Sequence, residues 1–440
     1  MRYDYSSKVI TVEDALNLVK PNDYIVTGMC IAEAKDFMSK LHTIADKVDE
    51  VTVSNCIPMA NHEFFSNPEY RNKFMLETWF YTGPLRQYHK NGNVSYIPNH
   101  LHLAATKRLD YKRPNIYVGA ACVPDKHGNI SLSLSTTYEK KMIEVADISI
   151  LEINPNFPRT FGDIQVHVSE IDYLIETDYA PHALPQTEPS EKDKVIGKYI
   201  ADYVEDRSCI QLGIGGIPNA VAEALVDKKD LGIHTEMFSD GMMKLYRAGA
   251  ITGKYKNKQK GRMIATFAMG SAELYEFLDD NPCVEFLDGD YTNDPYVIAL
   301  NDNQISINTS LEVDLTGQCA SESLGSTQFS GTGGQSDTAI GAQNSKGGKS
   351  FIALYSTAMV RNKETGEKEE VSKIVSQLKQ GAAVSLSRND VDYVVTEYGV
   401  AQLRGTSIKD RVERLIAIAH PKFRAQLMEE AKALGLIYER

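Results

Sequence analysis

No Cys-x-x-Cys pair occurs in this chain, although it holds six cysteines: Cys30, Cys56, Cys122, Cys209, Cys283 and Cys319. Scattered cysteines in mostly apolar, strand-like contexts fit buried free thiols in a reducing compartment rather than a disulfide framework or a metal knuckle. The ten histidines are equally unhelpful to a metal, since His100 and His102 are one residue apart and no His-x-x-x-His accompanies an acid. No metal site is expected. No run approaches the roughly 18 apolar residues of a membrane span, and Met1-Arg-Tyr-Asp-Tyr-Ser-Ser-Lys8 lacks an apolar signal core, so a cytoplasmic protein without a membrane partner is expected. Positive charge is also short. Asp and Glu number 59 against 47 Lys and Arg, a net charge of −12, which disfavours nucleic acid as a partner and leaves an anionic ligand dependent on local N–H groups or lysines.

What is present is an ordinary globular composition, 42% hydrophobic and 24% charged over 440 residues, large enough for two domains. The polar stretch Glu176-Thr-Asp-Tyr-Ala-Pro-His-Ala-Leu-Pro-Gln-Thr-Glu-Pro-Ser190 carries three prolines and suits neither a helix nor a central strand. It divides the chain into an N-terminal α/β domain, 1–185, and a C-terminal α/β domain, 190–440. Both parts open alike. Asp23-Tyr-Ile-Val-Thr-Gly28 leads through a loop to the helical Lys35-Asp-Phe-Met-Ser-Lys-Leu41 and the β-rich Val51-Thr-Val-Ser-Asn55. In the second part, Ser208-Cys-Ile-Gln-Leu212, the glycine turn Gly213-Ile-Gly-Gly-Ile-Pro218, the amphipathic Asn219-Ala-Val-Ala-Glu-Ala-Leu225 and the strand-like Leu231-Gly-Ile-His-Thr235 repeat that order. Two related α/β domains with mainly parallel sheets are expected, with the site in the cleft between them.

Glu236 then stands at the carboxyl end of a strand, on the same edge as the glycine turn, where open parallel sheets collect ligands. The turn is either structural or a cradle for phosphate at a helix start. It lacks the third glycine of a dinucleotide fingerprint and places Pro218 near the helix start, which argues against nicotinamide. A second glycine loop, Phe329-Ser-Gly-Thr-Gly-Gly-Gln-Ser-Asp337, follows the strand-like Gln304-Ile-Ser-Ile-Asn308. It reads as a flexible connector or as a nest of backbone N–H groups for an oxyanion or phosphate. The lysine run Lys254-Tyr-Lys-Asn-Lys-Gln-Lys260 reads as a solvated loop, with phosphate contact as the alternative.

With Val166-His-Val-Ser-Glu-Ile-Asp172, Gln211-Leu-Gly-Ile-Gly-Gly-Ile-Pro218, His234-Thr-Glu-Met-Phe-Ser-Asp-Gly241, Gln328-Phe-Ser-Gly-Thr-Gly-Gly-Gln335, Asp392-Tyr-Val-Val-Thr-Glu-Tyr-Gly-Val-Ala401 and Ile418-Ala-His-Pro421, the chain resembles the acetyl-CoA hydrolase/transferase branch of the class I CoA-transferases, over nearly its whole length. The resemblance extends to the 4-hydroxybutyrate and butyrate CoA-transferases. It implies two CoA-transferase-type domains, coenzyme A as a substrate with no prosthetic group, short-chain carboxylates as partners, and a homo-oligomer. It makes Glu236 the residue that becomes a glutamyl-CoA thioester. It assigns CoA contacts to Gln211, Leu212, Gly213, Ile214, Gly215, Leu311 and Gly334, and an acyl or oxyanion site to Gly333, Gly334 and Gln335, with Asn308 and Glu397 as polar groups near the nucleophile. One departure stands out: Met29 and Ala34 occupy places where the family carries histidine and proline, which bears on acyl specificity if that loop faces the acyl group. The expected reaction is CoA exchange between acids such as acetate, butyrate and 4-hydroxybutyrate by ping-pong kinetics. Hydrolysis of acyl-CoA through the same glutamate is the alternative, and a non-catalytic CoA-binding protein the third reading.

Overall fold

Residues 24–176 build one parallel sheet because their strands are apolar on both faces, as in Ile116–Cys122, where every residue is buried. The computed structural model describes residues 3–361 and 366–438. In spatial order the seven strands are Tyr173–Glu176, Ile148–Asn154, Ile116–Cys122, Tyr24–Thr27, Val51–Asn55, Phe74–Thr78 and Val94–Tyr96, all parallel. A second sheet of six strands runs Gly232–Ile233, Cys209–Leu212, Gln304–Thr309, Lys349–Ala353, Tyr393–Thr396 and Gly399–Gln402. Its first five strands are parallel and the last turns back as a hairpin. The protein is therefore α/β with mainly parallel sheets. In the second sheet the chain reverses its direction of winding between Cys209–Leu212 and Gln304–Thr309, which opens a crevice beyond their carboxyl ends.

The repeated order of strand, glycine, loop, helix and strand is present in both sheets: Tyr24–Thr27, Gly28, Lys35–Lys40 and Val51–Asn55 against Cys209–Leu212, Gly213, Gly216–Ala224 and Gly232–Ile233. The second helix starts three residues earlier than its amphipathic stripe. Gly215, at φ 111°, caps it in a conformation that a side chain would strain, and Pro218 falls within the first turn. The glycine loop near 330 does not remain a connector, for Gly334 caps a helix, Gln335–Asn344. That helix is buried on most sides, including Gln335, Ser336, Asp337 and Thr338, so it has no apolar stripe for a sequence to display.

Each sheet keeps a core of its own, and a third core is common to both. Val26 and Ala121 of the first belong to one cluster with Ile210, Ile307 and Phe351 of the second. The segment 263–292 joins them: Phe161–Gly162 pairs in parallel with Val284–Phe286, Ala268 N–H donates to the Leu134 carbonyl at 2.9 Å, and Thr136 N–H to the Thr266 carbonyl at 2.9 Å. The proline-bearing stretch 177–190 has neither helix nor strand, and Ser190 ends it by capping helix Glu191–Ala201. Among the described residues, no helix is long and apolar enough to cross a membrane.

Gly162 sits at φ 110°, and a Cβ there would collide with the Phe286 carbonyl across the joining sheet. Gly162→Ala should destabilise the protein by about 2 kcal/mol or more in urea unfolding, through strain and a displaced strand pair.

Candidate active site

Glu236 is locked by its backbone before its side chain does anything. It lies between the short strands Gly232–Ile233 and Met237–Phe238, and its carbonyl accepts from Thr266 N–H at 2.9 Å and Phe267 N–H at 3.2 Å. The carboxylate reaches the start of helix Gln335–Asn344. Asn293 Nδ2 donates to Glu236 Oε2 at 2.9 Å. The backbone N–H of Gly334 favours the same ionised carboxylate. A Cβ on Gly334 would overlap both Glu236 Oε2 and the Asn293 amide, so only glycine permits this approach. On the other side, Glu236 Oε1 lies 3.8 Å from where a Cβ of Gly333 would stand.

Burial dominates the carboxyl's acidity and raises its pKa to about 7; Asn293 and Gly334 pull it down, while the charge of buried Asp337 pushes it up. Asn293 is in turn set by its neighbours. Two residues before the glutamate, His234 is held neutral by burial and by the charge of Lys256, with its pKa lowered to about 3, and its Nε2–H donates to the Thr292 carbonyl at 2.8 Å. His234 thus fastens the turn that presents Asn293. Lys256, from the lysine run read as solvated, turns inward and donates to the carbonyls of Ile233 at 2.7 Å and Arg262 at 2.9 Å.

The carboxylate opens on a cavity of about 440 Å³. Gln211, Leu212, Gly213, Ile214, Asn308, Gly333, Gly334 and Gln335 line it with Glu236, from the crevice of the second sheet. The first sheet supplies what the sequence did not advertise: Ile57 beyond Val51–Asn55, and Phe80 and Arg86 beyond Phe74–Thr78. Phe267 and Met269 complete an apolar wall. A second cavity of about 390 Å³ shares Phe80, Ile214, Thr309, Ser321 and Ser330 with the first, and adds Gly215, Leu311 and Lys373 beside the start of helix Gly216–Ala224. Burial lowers the pKa of Lys373 to about 8, with Glu397 and Glu312 opposing that fall.

Glu397 is not among the residues lining the Glu236 cavity. Its carboxylate accepts from Ser356 N–H at 2.8 Å, Ser356 Oγ at 2.9 Å and Lys192 Nζ at 3.0 Å, and these bonds outweigh burial to hold its pKa below the usual value. Its place at the end of Tyr393–Thr396 lies two strands beyond Gln304–Thr309, which separates it from the crevice. Leu311 lines the second cavity and not the first. Asn308 lines the first, though its amide donates to Ser306 Oγ at 2.9 Å and Thr338 Oγ1 at 3.0 Å. Met29 and Ala34 are buried behind the wall. Met29 N–H donates to Glu139 at 2.8 Å, and Cys30 Sγ stands 3.2 Å from the sulfur of Met269, which lines the cavity. Asn293 has no motif around it, and no sequence signal pointed to it.

A family model for the acetyl-CoA hydrolase/transferase N-terminal domain matches residues 1–184, and one for the C-terminal domain of the same family matches 270–431. The chain belongs to the acetyl-CoA hydrolase/transferase family. It is 42% identical to a 4-hydroxybutyrate coenzyme A transferase of Clostridium kluyveri, over 97% of this chain and 98% of that protein. It is 40% identical to a succinyl-CoA:cyclohexane-1-carboxylate CoA transferase of Geobacter metallireducens, over 99% and 97%. The crystal structure of RipA from Yersinia pestis superposes with a TM-score of 0.90 at 33% identity, covering 98% of this chain and 99% of that one. The two matched segments leave 185–269 between them, and that interval holds both the glycine turn and Glu236.

The raised pKa of Glu236 has a signed consequence for stability. The native carboxyl keeps its proton up to about pH 7, whereas the unfolded one loses it near its ordinary value of 4.5, so stability falls as pH rises through that interval. Glu236→Gln should relieve this penalty. Urea unfolding should show the variant gaining on the wild type from pH 5 to pH 8, by at most about 3 kcal/mol.

Proposed function

We propose that the protein transfers CoA between short-chain carboxylic acids by a ping-pong mechanism through a glutamyl-CoA thioester on Glu236. The observation that carries this reading is the asymmetric setting of the carboxylate: Oε2 is held by Asn293, with Gly334 N–H beside the same group, while Oε1 faces the glycine loop and the cavity. A fixed, partly desolvated carboxylate with one oxygen restrained and one free is poised to attack a thioester carbonyl within a single complex.

In the first step the free oxygen of Glu236 adds to the acyl-CoA carbonyl, the carbon–sulfur bond breaks, and CoA thiolate leaves an acyl-glutamyl anhydride. The thiolate then adds to the glutamyl carbonyl carbon and expels the first acid as its carboxylate, leaving Glu236 as a thioester. In that addition the developing negative charge falls on the restrained oxygen. Asn293 already donates there, with Gly334 N–H beside the same carboxylate, so the groups that steady the resting carboxylate are placed to serve the oxyanion. Loss of one such donor typically costs roughly 10²–10³ in rate. A second acid repeats the two steps in reverse.

The surroundings support the substrate class. Ile57, Phe80, Phe267 and Met269 give a short aliphatic chain an apolar wall. The second cavity, with Lys373 and the start of helix Gly216–Ala224, offers positive charge and N–H groups to an anionic CoA arm running past Gln211–Gly215 and Leu311. The names of the relatives agree with acids such as acetate, butyrate or 4-hydroxybutyrate as the exchanged pair.

Incubation with acetyl-CoA and no acceptor acid should add the mass of CoA, less water, to the intact protein. Peptide mapping should place the adduct on Glu236, and Glu236→Ala should form no adduct and transfer no CoA. Free CoA released at catalytic rates without an adduct would make the protein a hydrolase instead.

A further inference from the structure

The pair His100 and His102, unremarkable as a metal motif, is drawn by the fold to the helix that meets Glu236. The 100–103 segment of the first half crosses to the glycine loop of the second, where Leu101 N–H donates to the Gly333 carbonyl at 3.1 Å. Its neighbour His102 grips Asp337, in the first turn of helix Gln335–Asn344, through two bonds. His102 N–H donates to Asp337 Oδ2 at 3.1 Å and ring Nδ1 to Oδ1 at 2.8 Å. His100 Nδ1 stands at 3.7 Å. Asp337 is 1% exposed and lies one turn from Gly334, whose carbonyl accepts from Thr338 N–H at 2.9 Å. A carboxylate buried this deeply needs a counter-charge, and without one its field falls on the other carboxylate of the site.

We propose that His102 is a positioning residue for the reaction: its imidazolium neutralises Asp337, and its hydrogen bonds hold the helix start whose Gly334 meets Glu236. The proposal rests on Glu236 acting as the ionised nucleophile. Burial disfavours the imidazolium, but the bond and charge of Asp337, with Asp294 beyond it, outweigh burial and hold the ring protonated to higher pH than a free histidine. Other titratable groups face the cluster. Asp294 begins helix Pro295–Ile298, which packs on Gln335–Asn344, and Cys56 faces Glu236 from the first sheet. None of these reaches Asp337 within the distance that His102 does.

Charge and structure separate in a pair of variants. His102→Asn places an amide nitrogen where Nδ1 stood, keeping a donor to Asp337 without the charge. Asp337→Asn removes the negative charge that opposes ionisation of Glu236. The readout is the acid limb of kcat/KM for acyl-CoA, which reports the free enzyme's nucleophile. His102→Asn should move that limb up and Asp337→Asn should move it down, each by about half to one pH unit. A merely structural clasp would lower activity without moving the limb, or move it the same way in both variants; either result overturns the proposal. Should Asp337→Asn fail to fold, an unmoved limb in His102→Asn alone overturns it. Mass analysis of the Glu236 adduct runs alongside. Turnover without an adduct in the wild type overturns the glutamyl mechanism and this inference with it, whereas adducts throughout with unmoved limbs overturn this inference alone.

Discussion

A half-buried carboxylate, set against a second, fully buried one, is the constraint on which the rest of the structure depends. Burial raises the pKa of Glu236 to about 7, and three neighbours contest that value: Asn293 and Gly334 favour the charge, Asp337 opposes it. The balance gives a poorly solvated group that loses its proton only near neutrality, the condition that the proposed attack on a thioester requires. It explains why position 334 is glycine, since any side chain would occupy the place of the carboxylate oxygen. It also explains the double backbone hold on Glu236 by Thr266 and Phe267, for an oxygen must be kept in place while its partner reacts.

Much of the second half of the chain reads as support for that one group. Lys256 turns inward to two carbonyls, its charge helps keep His234 neutral, and His234 fastens the turn that carries Asn293. The first half contributes differently. Its sheet edge sends Ile57, Phe80 and Arg86 over the cavity, and its 100–103 segment ties the glycine loop and Asp337. Arg86 spans the opening, its Nε donating to the Phe329 carbonyl at 2.6 Å with the guanidinium 3.4 Å over the Phe329 ring. The site is thus built where two sheet edges meet, and neither half encloses it alone.

Legibility followed locality. The strands Val51–Asn55 and Gln304–Thr309, the turn after Leu212 and the position of Glu236 at a strand end all follow from patterns within about ten residues. Helix Gln335–Asn344 did not, because burial on most sides removes the polar stripe that makes helices visible, and its glycines and serines read as a connector. The inward turn of Lys256 was hidden in a run of lysines that otherwise suits solvent. Glu397 was carried to the nucleophile by resemblance, and the order of strands places it elsewhere, bound to Ser356 and Lys192.

By itself the sequence determined the α/β alternation, the two similar openings, the proline-bearing stretch between them and the place of Glu236 at a strand end, since periodicity, turn residues and a strand-end carboxylate are properties of short segments. Only the tertiary structure decided which groups surround that carboxylate. Asn293 and Gly334 come from distant parts of the chain to meet Glu236, and His102 to meet Asp337, because two parallel sheets share one core and bring their carboxyl edges together. Charge and solvation at a point in space depend on that meeting, and no pattern along the chain encodes it.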